Sequence, residues 1–214
     1  MGGGSVLATF VGVLLLALGG FVAVWALAGG SGGPPAEAQQ IPRTVGTTVP
    51  PVHGQATAAP LAASPPLRIE IPALKVNAPV TRLGLNPDGS VAVPPLDDHN
   101  LAGWYVGSAP PGVTGASVIL GHVDSSSGSS VFFTIKNLRP GARIDVIRAD
   151  GSTAGFTVDG LQKAAKVAFP TAAVYGNPGY PALRLITCGG PFNTATGEYR
   201  DNIIVYAHLL PGGI

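Results

Sequence analysis

LRLITCGGPFNTATGEYR, residues 183–200, is the stretch that decides how the chain reads. Leu183, Leu185 and Thr187 fall on one parity, and Arg184, Ile186 and Cys188 on the other. A period of two in an apolar run predicts a strand, here one that ends at Cys188. Gly189-Gly190-Pro191 reads as the stop that turns this strand into a loop. The only cysteine of the chain is therefore expected at a strand-to-loop transition, where a rigid scaffold presents reactive groups. Arg200 follows twelve residues later, at the start of a second apolar strand over 202–209. A hairpin-like return brings it back beside Cys188.

A cysteine nucleophile reacts as the thiolate, which a neighbouring His or Arg favours. Acyl transfer also needs a donor where the oxyanion develops. His122 is the leading acid or base, because it ends another apolar strand, ASVILGH over 116–122. Three polar groups at three strand ends can converge on one rim of a barrel. Each also has a plainer reading. Free cysteine is commonly a small buried side chain. His122 competes with His99, which follows two aspartates in a turn-like segment, and with His208 near the terminus. Arg200 competes with Arg184, which shares the parity of Cys188. Asp124 either orients His122 or caps its loop, and Thr187 is placed to shape an oxyanion site through side chain or backbone.

In order and spacing these segments resemble a known family. Leu185-Ile186-Thr187-Cys188 has the L-x-T-C form of the sortase signature. Leu120-Gly121-His122-Val123-Asp124 is similar to the sortase histidine segment, and Tyr199-Arg200-Asp201-Asn202 before an apolar strand is similar to the sortase arginine strand. With Phe169-Pro170-Thr171 and the glycines after Cys188, the pattern looks most like the class F sortases of high-GC Gram-positive bacteria, over roughly residues 67–210. The resemblance implies an all-β fold, an eight-stranded barrel with short helical insertions. It implies a cysteine transpeptidase with Cys188 as nucleophile, His122 as acid and base, and Arg200 donating to the oxyanion or positioning the peptide. The implied partners are C-terminal LPxTG-like sorting-signal peptides of surface proteins and, as acceptor, an amine of a cell-wall precursor. It further implies that the loop between Lys163 and Pro181 roofs the peptide groove, with Phe169, Pro170, Thr171 and Tyr175 as its candidates. On its residues alone that loop is either a groove wall or a flap folded over the barrel end for packing.

Charged residues are only 11% of the chain and no basic tract is present, so nucleic acid is excluded as a partner. One cysteine excludes an internal disulfide, and no C-x-x-C or His/Cys spacing points to zinc. Acids near the groove are few, with Asp159 and Glu198 well separated, so no metal or other cofactor is expected. A monomer is expected.

Residues 6–28 are an uncharged apolar run. At about 1.5 Å per residue such a run crosses a hydrocarbon core of roughly 30 Å, so residues 1–28 are expected to be an N-terminal membrane anchor, a single transmembrane helix. Ala36-Glu37-Ala38 is a small-residue cleavage pattern that leaves release of the domain open. Residues 29–66 are rich in Pro, Gly and Ala and read as an extended disordered tether. The first residues carry no Lys or Arg, so orientation comes from the resemblance, which implies a single-pass protein of the cell membrane with its catalytic domain on the cell-wall side.

The folded domain is expected over 67–214. Short apolar segments recur at 68–71, 80–85, 91–93, 117–122, 143–148, 153–159, 183–188 and 202–209. Asn86-Pro87-Asp88-Gly89 and Ala149-Asp150-Gly151-Ser152 are turn sequences between them. This pattern by itself predicts an antiparallel β domain. Residues 100–106 and 131–138 are predicted as short helices. Two rival functions share these residues: a cysteine hydrolase with water as acceptor, and a non-catalytic peptide-binding β domain.

Overall fold

The structure, a computed structural model, describes residues 58–212. The expected membrane span and the tether as far as residue 57 lie outside the described residues. Ten strands and one short α-helix follow in chain order: β1 Pro66–Ile71, β2 Val76–Leu83, β3 Ala102–Tyr105, β4 Gly115–Gly121, β5 Asp124–Ser125, β6 Gly128–Ser129, β7 Arg143–Arg148, β8 Thr153–Ala165, α1 Thr171–Tyr175, β9 Pro181–Asn193 and β10 Glu198–Leu209. Eight of them close a barrel in the order β1-β2-β3-β4-β9-β10-β8-β7, and β7 pairs back onto β1. Closure leaves no unpaired edge, which is how a sheet of short strands avoids templating another chain. β5 and β6 form a separate two-stranded ribbon.

The barrel departs from a purely antiparallel sheet at two places. β2 and β3 are parallel, and so are β4 and β9. Parallel neighbours need long crossovers, and the residues between them supply these. One parity of the strands fills the interior with Ile69, Ile71, Ile119, Ile144, Phe156, Leu183, Leu185 and Val205, all fully buried. On β4, β9 and β10 the other parity is apolar too. Val118, Ile186, Ile204 and Tyr206 form a second cluster with Val174 of α1 and Phe169. A strand buried on both faces reads as a near-continuous apolar run, and β9 is buried through Thr187 with Arg184 as the one charge inside it.

Several expectations are corrected. β9 does not stop at Cys188 but continues to Asn193. Tyr199 lies opposite Phe192 and Asp201 opposite Gly189, so Gly190 and Pro191 together face Arg200. That is a β-bulge, which takes up the glycine and the proline without ending the strand. Residues 100–106 hold a strand, β3, not a helix: Ala102 and Trp104 are buried, and β3 pairs on one side with β2 and on the other with β4. Burial between two strands overrides the weak local preference. Residues 131–138 keep only one turn of 3-10 helix, Ile135–Asn137, and Val131, Phe132, Ile135 and Leu138 enter the barrel core. Residues 91–93 form a single bridge, Leu85 to Val91. Residues 58–65, read from composition as the end of the tether, lie against the barrel. The Leu61 N–H donates to the Gly112 carbonyl at 2.9 Å, and Arg148 donates to the Ala62 carbonyl at 2.6 Å.

Gly190 has φ +74°, and a Cβ there would sit 2.1 Å from Asp201 Oδ2. A left-handed backbone costs an L-residue about 1–2 kcal/mol before any clash. Gly190→Ala is therefore expected to destabilise the chain by at least about 1–2 kcal/mol in urea unfolding. Gly189→Ala, whose Cβ meets only the Ile203 side chain and backbone nitrogen, is expected to cost less.

Candidate active site

The site begins with the parallel register of β4 and β9. Leu120 pairs with Ile186, so His122 and Cys188 each lie two residues beyond a matched pair, on the same side of it in neighbouring strands. β10 then returns antiparallel and sets Asn202 directly opposite Cys188. His122, Asp124, Thr187, Cys188, Tyr199 and Asn202 line one groove of about 870 Å³. The backbone of His122 is held by the Phe132 N–H, which donates to its carbonyl at 3.0 Å. Gly121 just before it has no room for a side chain, since a Cβ would come within 2.6 Å of the Phe132 ring.

Cys188 is half-buried. Burial pushes its thiol above the ordinary cysteine value, Lys166 pulls it down, and Glu198 and Asp124 push it up. The largest of these effects, burial, disfavours the thiolate in the resting site. Lys166 reaches the groove from the loop after β8 and forms an ion pair with Glu198 at 3.3 Å.

The remaining expected residues divide. His122 Nε2 is bonded to the Pro94 carbonyl at 2.7 Å. Asp124 is bonded not to His122 but across the groove to Tyr199, whose hydroxyl donates to Oδ2 at 2.5 Å. That bond holds the Tyr199 phenol above its usual range. Thr187 is buried, and its hydroxyl has no hydrogen-bond partner among the described residues. Arg200 is exposed, and it lines an adjoining pocket of about 370 Å³ with Lys166, Glu198 and Asp201 instead of the Cys188 groove. Phe169 and Tyr175 also stand away from that groove. Their rings lie 6.1 Å apart, Tyr175 stands edge-on to Tyr105 at 6.0 Å, and Phe169 packs on the outer apolar cluster. Pro170 caps α1 and Thr171 opens it, outside the groove lining.

The rival residues have structural partners of their own. Arg184 shares the sheet face of Cys188 but is only 2% exposed. It donates to the Ala173 carbonyl at 3.2 Å and to the Leu183 carbonyl at 3.1 Å, and its guanidinium stacks 4.7 Å from the Tyr206 ring centre. His208 is buried against Asp159 at 2.5 Å. His99 meets Ser127 and Ser130. Sequence reasoning missed Lys166, Asn202 and Pro94 as groove residues or contacts. Asn202 follows from the hairpin register once the bulge is known, whereas nothing local marks Lys166 or Pro94. Among the described residues, no group of three or more His, Cys, Asp or Glu side chains is placed to hold a metal ion.

The charges around the sulfur give a direct test. Lys166→Ala removes the one cation that lowers the thiol, so alkylation of Cys188 by iodoacetamide at neutral pH is expected to slow. Glu198→Gln removes an anion that raises it, so alkylation is expected to quicken. Rates that move together, or not at all, would refute this picture of the field at Cys188.

A family model described as the sortase domain matches residues 69–210, well over half of the chain. No curated protein matches it. Among solved structures, sortase C-1 from Actinomyces oris superposes with a TM-score of 0.53 and 23% identity, over 67% of this chain and 73% of that one. Sortase A from Corynebacterium diphtheriae gives 0.51 and 21%, over 70% of this chain and 62% of that one. Group B Streptococcus Pilus Island 1 sortase C2 gives 0.51 and 18%, over 67% and 73%. At these identities the structural likeness is one of fold, and it runs across several sortase classes. The matched domain, carried on the closed eight-stranded barrel, places the chain in the sortase family: it is an enzyme, a cysteine transpeptidase.

Proposed function

We propose that the chain is a membrane-anchored sortase of the class F type that joins surface proteins to the cell wall. It acts through Cys188 as nucleophile and His122 as acid and base. The observation that carries this reading is that His122, just beyond β4, and Cys188, within the parallel neighbour β9, each lie two residues past the Leu120–Ile186 pair and line one groove. Membership of the family implies a sorting-signal peptide as donor and a cell-wall amine as acceptor. The LPxTG form of the signal, the class and the single-pass anchoring through residues 6–28 rest on sequence segments alone.

In the reaction His122 takes the proton of the Cys188 thiol, and the sulfur attacks the carbonyl of the residue before the scissile bond. Charge gathers on the carbonyl oxygen, and a guanidinium is suited to meet it with two parallel donors. Arg200 fills this role by turning over the rim of the β9–β10 hairpin from its adjoining pocket. It is exposed and follows Tyr199, which already lines the groove. The amide C–N bond breaks, the leaving amine takes a proton from His122, and a thioester remains on Cys188. The acceptor amine then attacks the thioester and gives a proton to His122, the new amide bond forms as the C–S bond breaks, and His122 returns the proton to the Cys188 sulfur.

The test is mass spectrometry of the full chain with LPxTG-type peptides, with and without a glycine-based amine. The expected result is a mass increase on Cys188, absent in Cys188→Ala, together with an amine-joined peptide. Full turnover by Cys188→Ala would sink the reading, and acyl-enzyme yielding only hydrolysed peptide would turn it into a hydrolase. Arg200→Lys is expected to lower kcat/KM by about 10²–10³-fold, because a point charge does not reproduce the guanidinium fork. Near-normal turnover in that variant would remove Arg200 from the mechanism.

A further inference from the structure

The proposed mechanism asks His122 to deliver and recover a proton, and, resting on that reading, the structure bears on which ring nitrogen does so. His122 Nε2 lies 2.7 Å from the Pro94 carbonyl oxygen. A carbonyl accepts and never donates, so this contact is a hydrogen bond only while Nε2 carries hydrogen. The imidazolium and the Nε2–H neutral tautomer both satisfy it. The Nδ1–H neutral tautomer would face the oxygen with a lone pair.

The carbonyl is held by a strap, residues 84–101, that joins β2 to β3. At its base Leu85 bridges Val91, the Ala92 N–H donates to the Gly84 carbonyl at 3.0 Å, and the Asn86 N–H donates to the Ser90 carbonyl at 2.8 Å. At its far end His99 meets Ser127 Oγ at 2.8 Å and Ser130 Oγ at 3.2 Å. Both serines lie in the segment that directly follows His122. Asn100 Nδ2 also donates to the Asn77 carbonyl at 3.1 Å. Pro94 itself is buried and is followed by Pro95, whose ring confines Pro94 to extended backbone and so limits where its carbonyl points. Val93 and Leu96 on the same strap line the groove of Cys188. The acceptor is therefore part of a braced element, anchored on the barrel at one end and on the histidine's own segment at the other.

We propose that this strap is a positioning element that holds His122 with its hydrogen on Nε2, so that Nδ1 is the nitrogen that exchanges protons with the reacting amines. In the first half-reaction the C–N bond breaks, the S–C bond stays formed, and the Nδ1 proton passes to the leaving nitrogen. The neutral ring that remains keeps Nε2–H on the Pro94 carbonyl. In the second half-reaction the incoming amine loses its proton to Nδ1 as the new C–N bond forms and the C–S bond breaks. The ring serves both halves without rotating. Pro94 is a positioning residue, and His99 anchors the strap.

The tautomer is read directly, without substrate, by two-bond 15N–1H correlations on the full chain labelled with 15N-histidine, in alkaline buffer where the ring is neutral. The His122 signals are assigned by their absence in His122→Gln. The expected pattern is Nε2–H, and an Nδ1–H pattern or an even mixture would overturn the proposal. In His99→Ala the strap loses its far anchor. The expected results are a mixed tautomer at His122 and a kcat lowered by roughly tenfold, with KM changed by less than about twofold. His99→Gln, which keeps a side-chain donor and acceptor, is expected to restore part of both. An unchanged tautomer and kcat in His99→Ala would remove the strap from the mechanism. Because the tautomer is observed in the resting protein, its failure is distinct from failure of Cys188→Ala to stop turnover, which would instead defeat the transpeptidase chemistry assigned to Cys188.

Discussion

The parallel pairing of β4 with β9 is the constraint on which the site depends. Two antiparallel neighbours would send their C-terminal ends to opposite rims of the barrel. Parallel ones deliver His122 and Cys188 to the same rim and, through the Leu120–Ile186 register, to the same level. The pairing also sets faces. A slip of one residue would turn every side chain of β9 over, moving Cys188 into the barrel and Thr187 out. What prevents the slip is burial on both sides. Leu183 and Leu185 fill the interior while Ile186 packs into the outer cluster, so neither parity tolerates the exchange.

The same outer face carries two kinds of polar group, and their covering separates them. Near α1, Arg184 is enclosed, with carbonyls and an aromatic ring as partners, and the Asp159–His208 pair is buried nearby. A buried charge such as the Arg184 guanidinium needs its partners, because without them it stands uncompensated in a medium that solvates it poorly. Past Ile186 the cover ends, and the face opens into the groove where Cys188 lies half-buried. Partial burial disfavours the thiolate, while Lys166, Glu198 and Asp124 at the walls set a local field of mixed sign. Few charges on the chain as a whole make these three matter.

The groove is closed in by contacts between segments distant in sequence. Tyr199 of β10 reaches Asp124 beyond β4, and the β2–β3 strap reaches His122. Each contact ties a reactive strand end to a neighbour that is itself braced, which holds a site more precisely than free loops do. Arg200 stands apart from this resting set, across the hairpin bulge.

What the sequence by itself determined was the local geometry. Alternating apolar residues marked β4, β7 and the core of β9, Asp150-Gly151 marked the turn between β7 and β8, and the segments around His122 and Cys188 placed one at the end of β4 and the other on a strand. These are short-range matters of side-chain period and backbone freedom, and they are written in neighbouring residues. Only the tertiary structure decided which strands run parallel, that residues 102–105 form a strand, that β9 passes through Gly190-Pro191 as a bulge, and that Asp124 bonds Tyr199 while His122 bonds Pro94. Each of these depends on which distant surface comes to lie against a segment. A buried partner strand outweighs a weak local preference, and a hydrogen bond forms with whatever group the fold brings within reach.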